Sequence, residues 1–196
     1  MSRRWQSLLL HVALVLGAIL ALTPVVWMLA ASFMPTGEAT TLPPKFVPGD
    51  PTLEHYRAVF TRLDMGRYLL NSILVAFTVT GTSLIINAMA GYAFAKLRFR
   101  GRDVTFRVLA AGLMLPVQVV MLPLFLIFKQ LGLINTYWGV IIPSMASIFA
   151  IFLIRQYATA IPDDLLDAAR IDGASEARIF RAVVLPVITP ILATLA

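Results

Sequence analysis

The chain has 196 residues, of which 59% are hydrophobic and 13% charged. Soluble domains carry roughly 25% charged residues, so this composition and the positive mean hydropathy exclude an ordinary soluble fold and point to a chain that crosses a membrane several times. The formal net charge is +6, but the basic residues sit in short segments between long apolar runs, which argues against a nucleic-acid surface; the absence of cysteine excludes a disulfide framework, thiolate metal sites and thiol redox chemistry.

Arg3 and Arg4 precede an uncharged run, within which Leu8 to Phe33 is predicted as the first span. A cleaved signal peptide would have a shorter apolar core and a small-residue cleavage site, so this run reads as a retained helix. The two arginines predict a cytoplasmic N-terminus, and Pro24 predicts a kink. Residues 34–67 read as an external loop, rich in proline (Pro35, Pro43, Pro44, Pro48, Pro51) and turning within it into the short helical stretch LEHYRAVF. Tyr68 to Ala95 carries no charge and is long enough for a tilted second span. Its polar residues, Asn71 and Asn87 foremost, either line a translocation pathway or tie helices together.

Residues 96–107 hold Lys96, Arg98, Arg100, Arg102 and Arg107 against the single Asp103, a basic loop that marks the cytoplasmic side. Val108 to Phe128 is the third span. Pro116 and Pro123, with Gln118 between them, predict a kinked or partly unwound segment, which either lines a cavity or serves packing. A short external turn leads to the fourth span, Thr136 to Ile154, with Pro143 inside it, and Arg155 returns the chain to the cytoplasm. A fifth span begins at Ala182 but reaches only about 22 Å by Ala196, short of the roughly 30 Å hydrocarbon core, which predicts a longer reading frame.

Residues 156–183 are thereby placed in the cytoplasm. Within them Pro162 suits a first helical turn, and Asp163, Asp164 and Asp167 follow where the helix dipole favours negative charge. Leu165, Leu166, Ala168 and Ala169 give a narrow apolar face, and Asp172-Gly173 breaks the helix with a turn pair. A second helix follows, with Ala177, Phe180 and Val184 at helical spacing, before Leu185-Pro186 leads into apolar sequence.

The run Asp167-Ala168-Ala169, three residues, Gly173, nine residues, Val183, one residue, Leu185-Pro186 resembles the EAA loop of the membrane subunits of binding-protein-dependent ABC importers. Asp167 stands where that pattern usually has Glu, and Val183 where it has Ile. Asn71-Ser72, GYAFAK at 91–96, LPVQVVMLPLF at 115–125 and LGLINTYWGVIIP at 131–143 resemble permeases of the carbohydrate-uptake branch, especially the second permease of maltose-type importers.

The resemblance implies an all-α, polytopic transmembrane helical bundle with six spans in a complete member, of which four and the start of a fifth lie here. It implies a multi-pass protein of the bacterial inner membrane that joins a second homologous permease, two ATP-binding subunits and an external solute-binding protein, and moves a sugar-like solute across the lipid bilayer. Asp167, Ala168, Ala169, Asp172, Gly173, Phe180, Leu185 and Pro186 are the ATPase-coupling residues it implies. ATP and Mg²⁺ would be used by the partner subunits, since no G-x-x-x-x-G-K-[ST] phosphate-binding sequence occurs in this chain.

The alternative function is an ion-coupled secondary transporter of a small solute. Such a protein usually leaves an ionisable residue within a span, and between Leu8 and Ile154 no Asp, Glu, Lys or Arg falls inside a predicted one. An intramembrane enzyme finds no support, because Ser72 and Ser83 have no His or Lys at matching depth, and His11 and His55 are isolated, which leaves no catalytic residue and no metal ligand set.

Overall fold

A computed structural model describes residues 3–196, and among them every regular element is helical. The helices are α1 (Arg3–Ala31), α2 (Glu54–Arg62), α3 (Met65–Lys96), α4 (Arg102–Ala111), α5 (Val117–Gln130), α6 (Tyr137–Ser144), α7 (Ile148–Thr159), α8 (Asp163–Ile171), α9 (Glu176–Ile179) and α10 (Leu185–Leu195). The chain divides into two compact units, one ending at Leu70 and one comprising Asn71–Ala196.

In the first unit α1 runs for 29 residues, about 43 Å, and is apolar all round, as a lipid-facing helix must be. The side chain of Arg3 lies outside the described residues. The segment after α1 is held by specific hydrogen bonds. Thr52 N donates to Phe33 O at 2.8 Å, Trp27 Nε1 to Lys45 O at 3.1 Å, and His55 Nε2 lies 2.9 Å from Met34 O, which fixes His55 as a donor. Glu38 accepts from Lys45 Nζ at 2.9 Å and from Gly49 N at 3.1 Å, and the Lys45 hydrogen bond holds its carboxyl below the usual carboxylate value. The proline-rich connection is thus an ordered segment, and His55 is one of its fasteners.

In the second unit the predicted third span is broken at the first of its two prolines, and the predicted fourth falls on a single apolar helical stretch. Among the described residues of both units, four helical stretches are long and apolar enough to cross a membrane: Arg4–Ala31, Met65–Lys96, Tyr137–Thr159 and Glu176–Leu195. The expected third span is a broken pair, Arg102–Met114 and Val117–Gln130, meeting at 107°; counted as one span it makes five. The reason is Pro116, which takes the extended N-cap position of α5, so the helix stops at Leu115 and restarts in a new direction. Pro123, by contrast, is accommodated inside α5. The fourth span reaches Thr159 and is interrupted between Ser144 and Ile148, where Ser147 caps α7 by accepting from Ala150 N at 3.3 Å.

The core of this unit gathers Ala88 and Tyr92 of α3, Ile154 and Ala158 of α7, Ile161, Leu166 of α8, Ile179 of α9, Val184, and Ile188 and Ile191 of α10. Inside lipid an apolar side chain gains little by moving from acyl chains to protein, so close approach matters more than hydrophobicity there. Gly91 supplies it: a Cβ at that position would sit 2.8 Å from Ile154 Cβ and 3.2 Å from the Arg155 amide nitrogen. Leu166 and Ile161, which lie outside the longest apolar runs, gain the ordinary 1.5–3 kcal/mol or so for burial from water. Near the same end, the Arg155 guanidinium lies 3.9 Å over the Phe106 ring and donates to Phe94 O at 3.3 Å, joining α3, α4 and α7.

Candidate functional site

The segment from Thr159 to Pro186 is built around one cation. Lys96, at the last turn of α3, has three N–H donors and meets three acceptors: Ile161 O at 2.6 Å, Thr159 O at 3.2 Å and Asp163 Oδ1 at 2.6 Å. Its side chain is 7% exposed. Two of these acceptors are carbonyls at and just beyond the α7 C-terminus, where an ammonium complements the helix dipole, and the third opens α8. The Lys96 hydrogen bond, and then its charge, lower the Asp163 carboxyl from its ordinary value. Pro162 stands one residue earlier than its sequence suggests, at the N-cap in extended conformation, with Asp163 the first helical residue.

The other end of α8 is tied by a chain of polar contacts. Arg170 donates from Nη1 to Asp167 Oδ1 at 2.6 Å and from Nε to Glu176 Oε1 at 2.9 Å; Glu176 Oε2 then accepts from Tyr92 OH of α3 at 2.8 Å. The hydrogen bonds to Glu176 and Asp167 raise the Arg170 pKa further above its already high value. Asp167, one of the implied coupling residues, is paired with an arginine of its own helix one turn away. The Tyr92 ring also packs against Phe180, centroids 5.5 Å apart.

Gly173 closes α8 in a Schellman turn. Its φ is +78°, its N–H donates to Arg170 O, and Ala174 N donates to Ala169 O, both at 3.0 Å. A Cβ at Gly173 would meet nothing within 4 Å, so the requirement there is conformational and the outward space is open. After Ser175, which caps α9 through its side chain, the helix widens into a π turn, Phe180–Val184, in which Leu185 N donates to Phe180 O. Pro186 accounts for the widening: it has no N–H to give and its ring needs room at the carbonyl of Ala182.

The apolar face predicted for α8 separates into two. Leu166 is buried at 1% exposure, whereas Leu165 is 53% and Ile171 86% exposed, with Ala168 also exposed beside them. A short helix fixed at both ends therefore presents an uncovered patch of Leu165, Ala168 and Ile171 with Asp164 and Asp172 at its edge.

The polar residues predicted for a pathway fall in separate places. Asn71 accepts from Tyr137 OH at 2.7 Å and lies with Ser72, Thr80 and Ser144 along a groove of about 500 Å³ between α3 and α6. Asn87 is 1% exposed, and both its amide atoms are engaged, Nδ2 with Ser83 Oγ at 2.7 Å and Oδ1 with Ser147 N at 3.0 Å. Pro116, Gln118 and Pro123 are exposed on α5 and form no part of that groove.

Residues 87–196 match the family described as the binding-protein-dependent transport system inner membrane component. The chain belongs to this family. An arabinooligosaccharides transport system permease protein, AraQ, of Halalkalibacterium halodurans is 37% identical over 195 residues, which cover 97% of this chain and 69% of that protein. An sn-glycerol-3-phosphate transport system permease protein, UgpE, of Brucella suis is 36% identical over 192 residues, 94% and 68% of the two chains. Among solved structures, a chain of a bacterial ABC transporter involved in the import of the acidic polysaccharide alginate superposes with a TM-score of 0.86 at 32% identity, covering 99% of this chain and 69% of that one. The matched region contains the whole of the α8 site, and the chain is a multi-pass inner-membrane transport component of this permease family.

Four residues that build the site escaped the sequence motif. Tyr92 and Lys96 lay in the GYAFAK stretch with no role attached beyond one more loop charge for Lys96, and Arg170 and Glu176 carried no motif at all. The available signal was Lys96 itself, a cation directly at the end of an uncharged run, which must either snorkel or find buried carbonyls.

Proposed function

We propose that this chain is one of two paired permeases of an ATP-driven importer, forming part of an inward pathway for a sugar or sugar-like solute, and that α8 docks in a groove of a cytoplasmic ATPase. The observation that carries the docking is the exposed Leu165, Ala168 and Ile171 patch on a helix whose other face is locked to the protein. A patch that small gives specificity through shape rather than through its rim charges, since an exposed ion pair contributes only about 0–1 kcal/mol. Asp167, Ala168, Ala169, Asp172 and Gly173 are the docking piece; Phe180, Leu185 and Pro186 join it to the membrane helix.

The sugar assignment draws on relatives named for arabinooligosaccharides, diacetylchitobiose and lactose, with glycerol phosphate within the same range of solutes. The N-terminus is cytoplasmic in this scheme, which puts the 96–107 loop and α8 on the ATPase side and the 34–67 connection outside. The partner ATPases use ATP and Mg²⁺ and supply the energy; this chain binds neither. Asn71, Asn87, Pro116, Gln118 and Pro123 remain the proposed pathway set, with the α3 groove at Asn71 the best placed for solute.

The test is twofold. A cysteine at Ala168 should cross-link to the ATPase subunit in the assembled importer, and Ile171→Asp should reduce ATPase co-purification without loss of membrane insertion. Absence of both effects overturns the docking. For the solute, the cognate binding protein is titrated with a panel of sugars, polyols and glycerol phosphates; binding of none of them overturns the substrate class.

A further inference from the structure

We infer that α3 is the span that α8 drives, through a clamp that grips α8 at both ends. This rests on the docking of α8 proposed above and adds which part of the membrane domain receives the displacement.

Helix α8 is bonded covalently to α7 through Ala160 to Pro162 and to α9 through Asp172 to Ser175, so some coupling to both is unavoidable. Helix α3 is remote in sequence, yet it holds α8 directly at its N-terminal end and, through Glu176 of α9, at its C-terminal end. At the N-terminal end Lys96 Nζ takes Asp163 Oδ1 at 2.6 Å and, in the turn before it, Ile161 O at 2.6 Å. At the C-terminal end Tyr92 OH takes Glu176 Oε2 at 2.8 Å, and Glu176 Oε1 takes Arg170 Nε at 2.9 Å.

Tyr92 and Lys96 are four residues apart, on one face of α3, and both are shielded from water, at 4% exposure for Tyr92 and 7% for the Lys96 side chain. One contact would let α8 pivot about it. A direct grip at one end of a nine-residue helix, about 13 Å long, and a grip relayed by Glu176 to Arg170 at the other fix its direction relative to α3, so a push on α8 moves the α3 face as a unit. Leu166, fully packed between the two grips, prevents α8 from lifting away. The same α3 carries Asn71, Ser72 and Thr80 along its groove, so the displacement enters the helix with the best-placed polar face.

The clamp is tested in proteoliposomes holding the complete importer, its ATPases and its binding protein, with solute uptake and ATP hydrolysis measured on the same vesicles. Tyr92→Phe removes only the hydroxyl and leaves the ring against Phe180; Lys96→Gln removes the charge. The double variant should still hydrolyse ATP, with solute moved per ATP reduced about fivefold or more, the lower end of ordinary coupling energies. Lys96→Arg, which keeps a donor of the same charge, should recover part of the ratio. A residue that only supports folding would lower the amount of assembled importer and depress both rates together, leaving the ratio unchanged. An unchanged ratio, with Ala168→Cys still cross-linking to the ATPase, overturns the clamp and leaves the docking intact; loss of the cross-link in an otherwise unaltered chain overturns the docking itself. Should the double variant not assemble, the ratio in each single variant decides in the same way.

Discussion

The side-chain carbonyl of Asn87 accepts the backbone N–H of Ser147 across 3.0 Å, at the point where the helix of the fourth span is interrupted. A break at membrane depth leaves backbone donors that lipid cannot satisfy, and a buried side chain from another helix is one of the few remedies. Asn87→Leu should therefore leave an unpaired buried N–H and destabilise the protein by about 1–3 kcal/mol. Thermal unfolding of the detergent-solubilised chain measures it; a melting point equal to wild type would show that the break needs no such partner.

Gly91 makes a second prediction. A Cβ there would lie 2.5 Å from Ile154 Cγ2 as well as against backbone, so Gly91→Ala must push α3 and α7 apart at a cost of about 1–3 kcal/mol. Ile154→Ala removes the nearest atom, and the two substitutions together should cost less than their sum. Strict additivity in a double-mutant cycle would mean that the two helices do not press on each other at this point.

At Gly173 the constraint is the sign of φ and not space within the chain. Gly173→Val should cost about 1–2 kcal/mol locally and abolish ATP-driven uptake while the protein still inserts, because the left-handed turn that sets the end of α8 is lost. Gly173→Asn, which tolerates that conformation, should retain much of the uptake. Equal uptake from the Val variant and the wild type would remove the turn from the docking argument.

The Lys96–Asp163 pair predicts a pH dependence. The carboxyl is lowered from 3.8 in the folded chain, so its contribution is fully present above 3.8 and is lost as pH falls through the lower folded value. Between neutral pH and about 5, the stability gap between wild type and Asp163→Asn should stay constant. Below 3.8 it should close, as read by melting of the solubilised chain at each pH. A gap that opens on acidification would contradict the sign.

Much of this fold could be read from charge and hydropathy, because a bilayer leaves a long uncharged run few other conformations. The first two spans, the fourth span and the break at Gly173 fall on helices and a turn where residue chemistry alone demanded them. The basic segment 96–107 does not stay a loop, since α4 begins at Arg102, and the third span breaks at only one of the two prolines that predicted its kink. Pro116 and Pro123 look alike as letters, yet one ends a helix and the other is absorbed inside α5. The α8 site was legible as a location but not as a mechanism, since its fasteners come from Tyr92 and Lys96, more than 60 residues away in sequence.

The π turn at Phe180–Val184 also settles the rotational phase of the last helix. In an uninterrupted α-helix Ile179 and Val184 would point about 140° apart, five residues at about 100° each. The extra residue in the widened turn takes up about 100° of that offset, and Ile179, Val184, Ile188 and Ile191 fall on one face, all buried. Their spacing of five, four and three residues is therefore a single stripe with one residue inserted, and Ala177, which regular helical spacing would have put on that stripe, faces outward. Were these same residues wound as a regular α-helix, without the widened turn, the whole membrane end of this helix would turn by about 100° and carry its apolar edge out of the core.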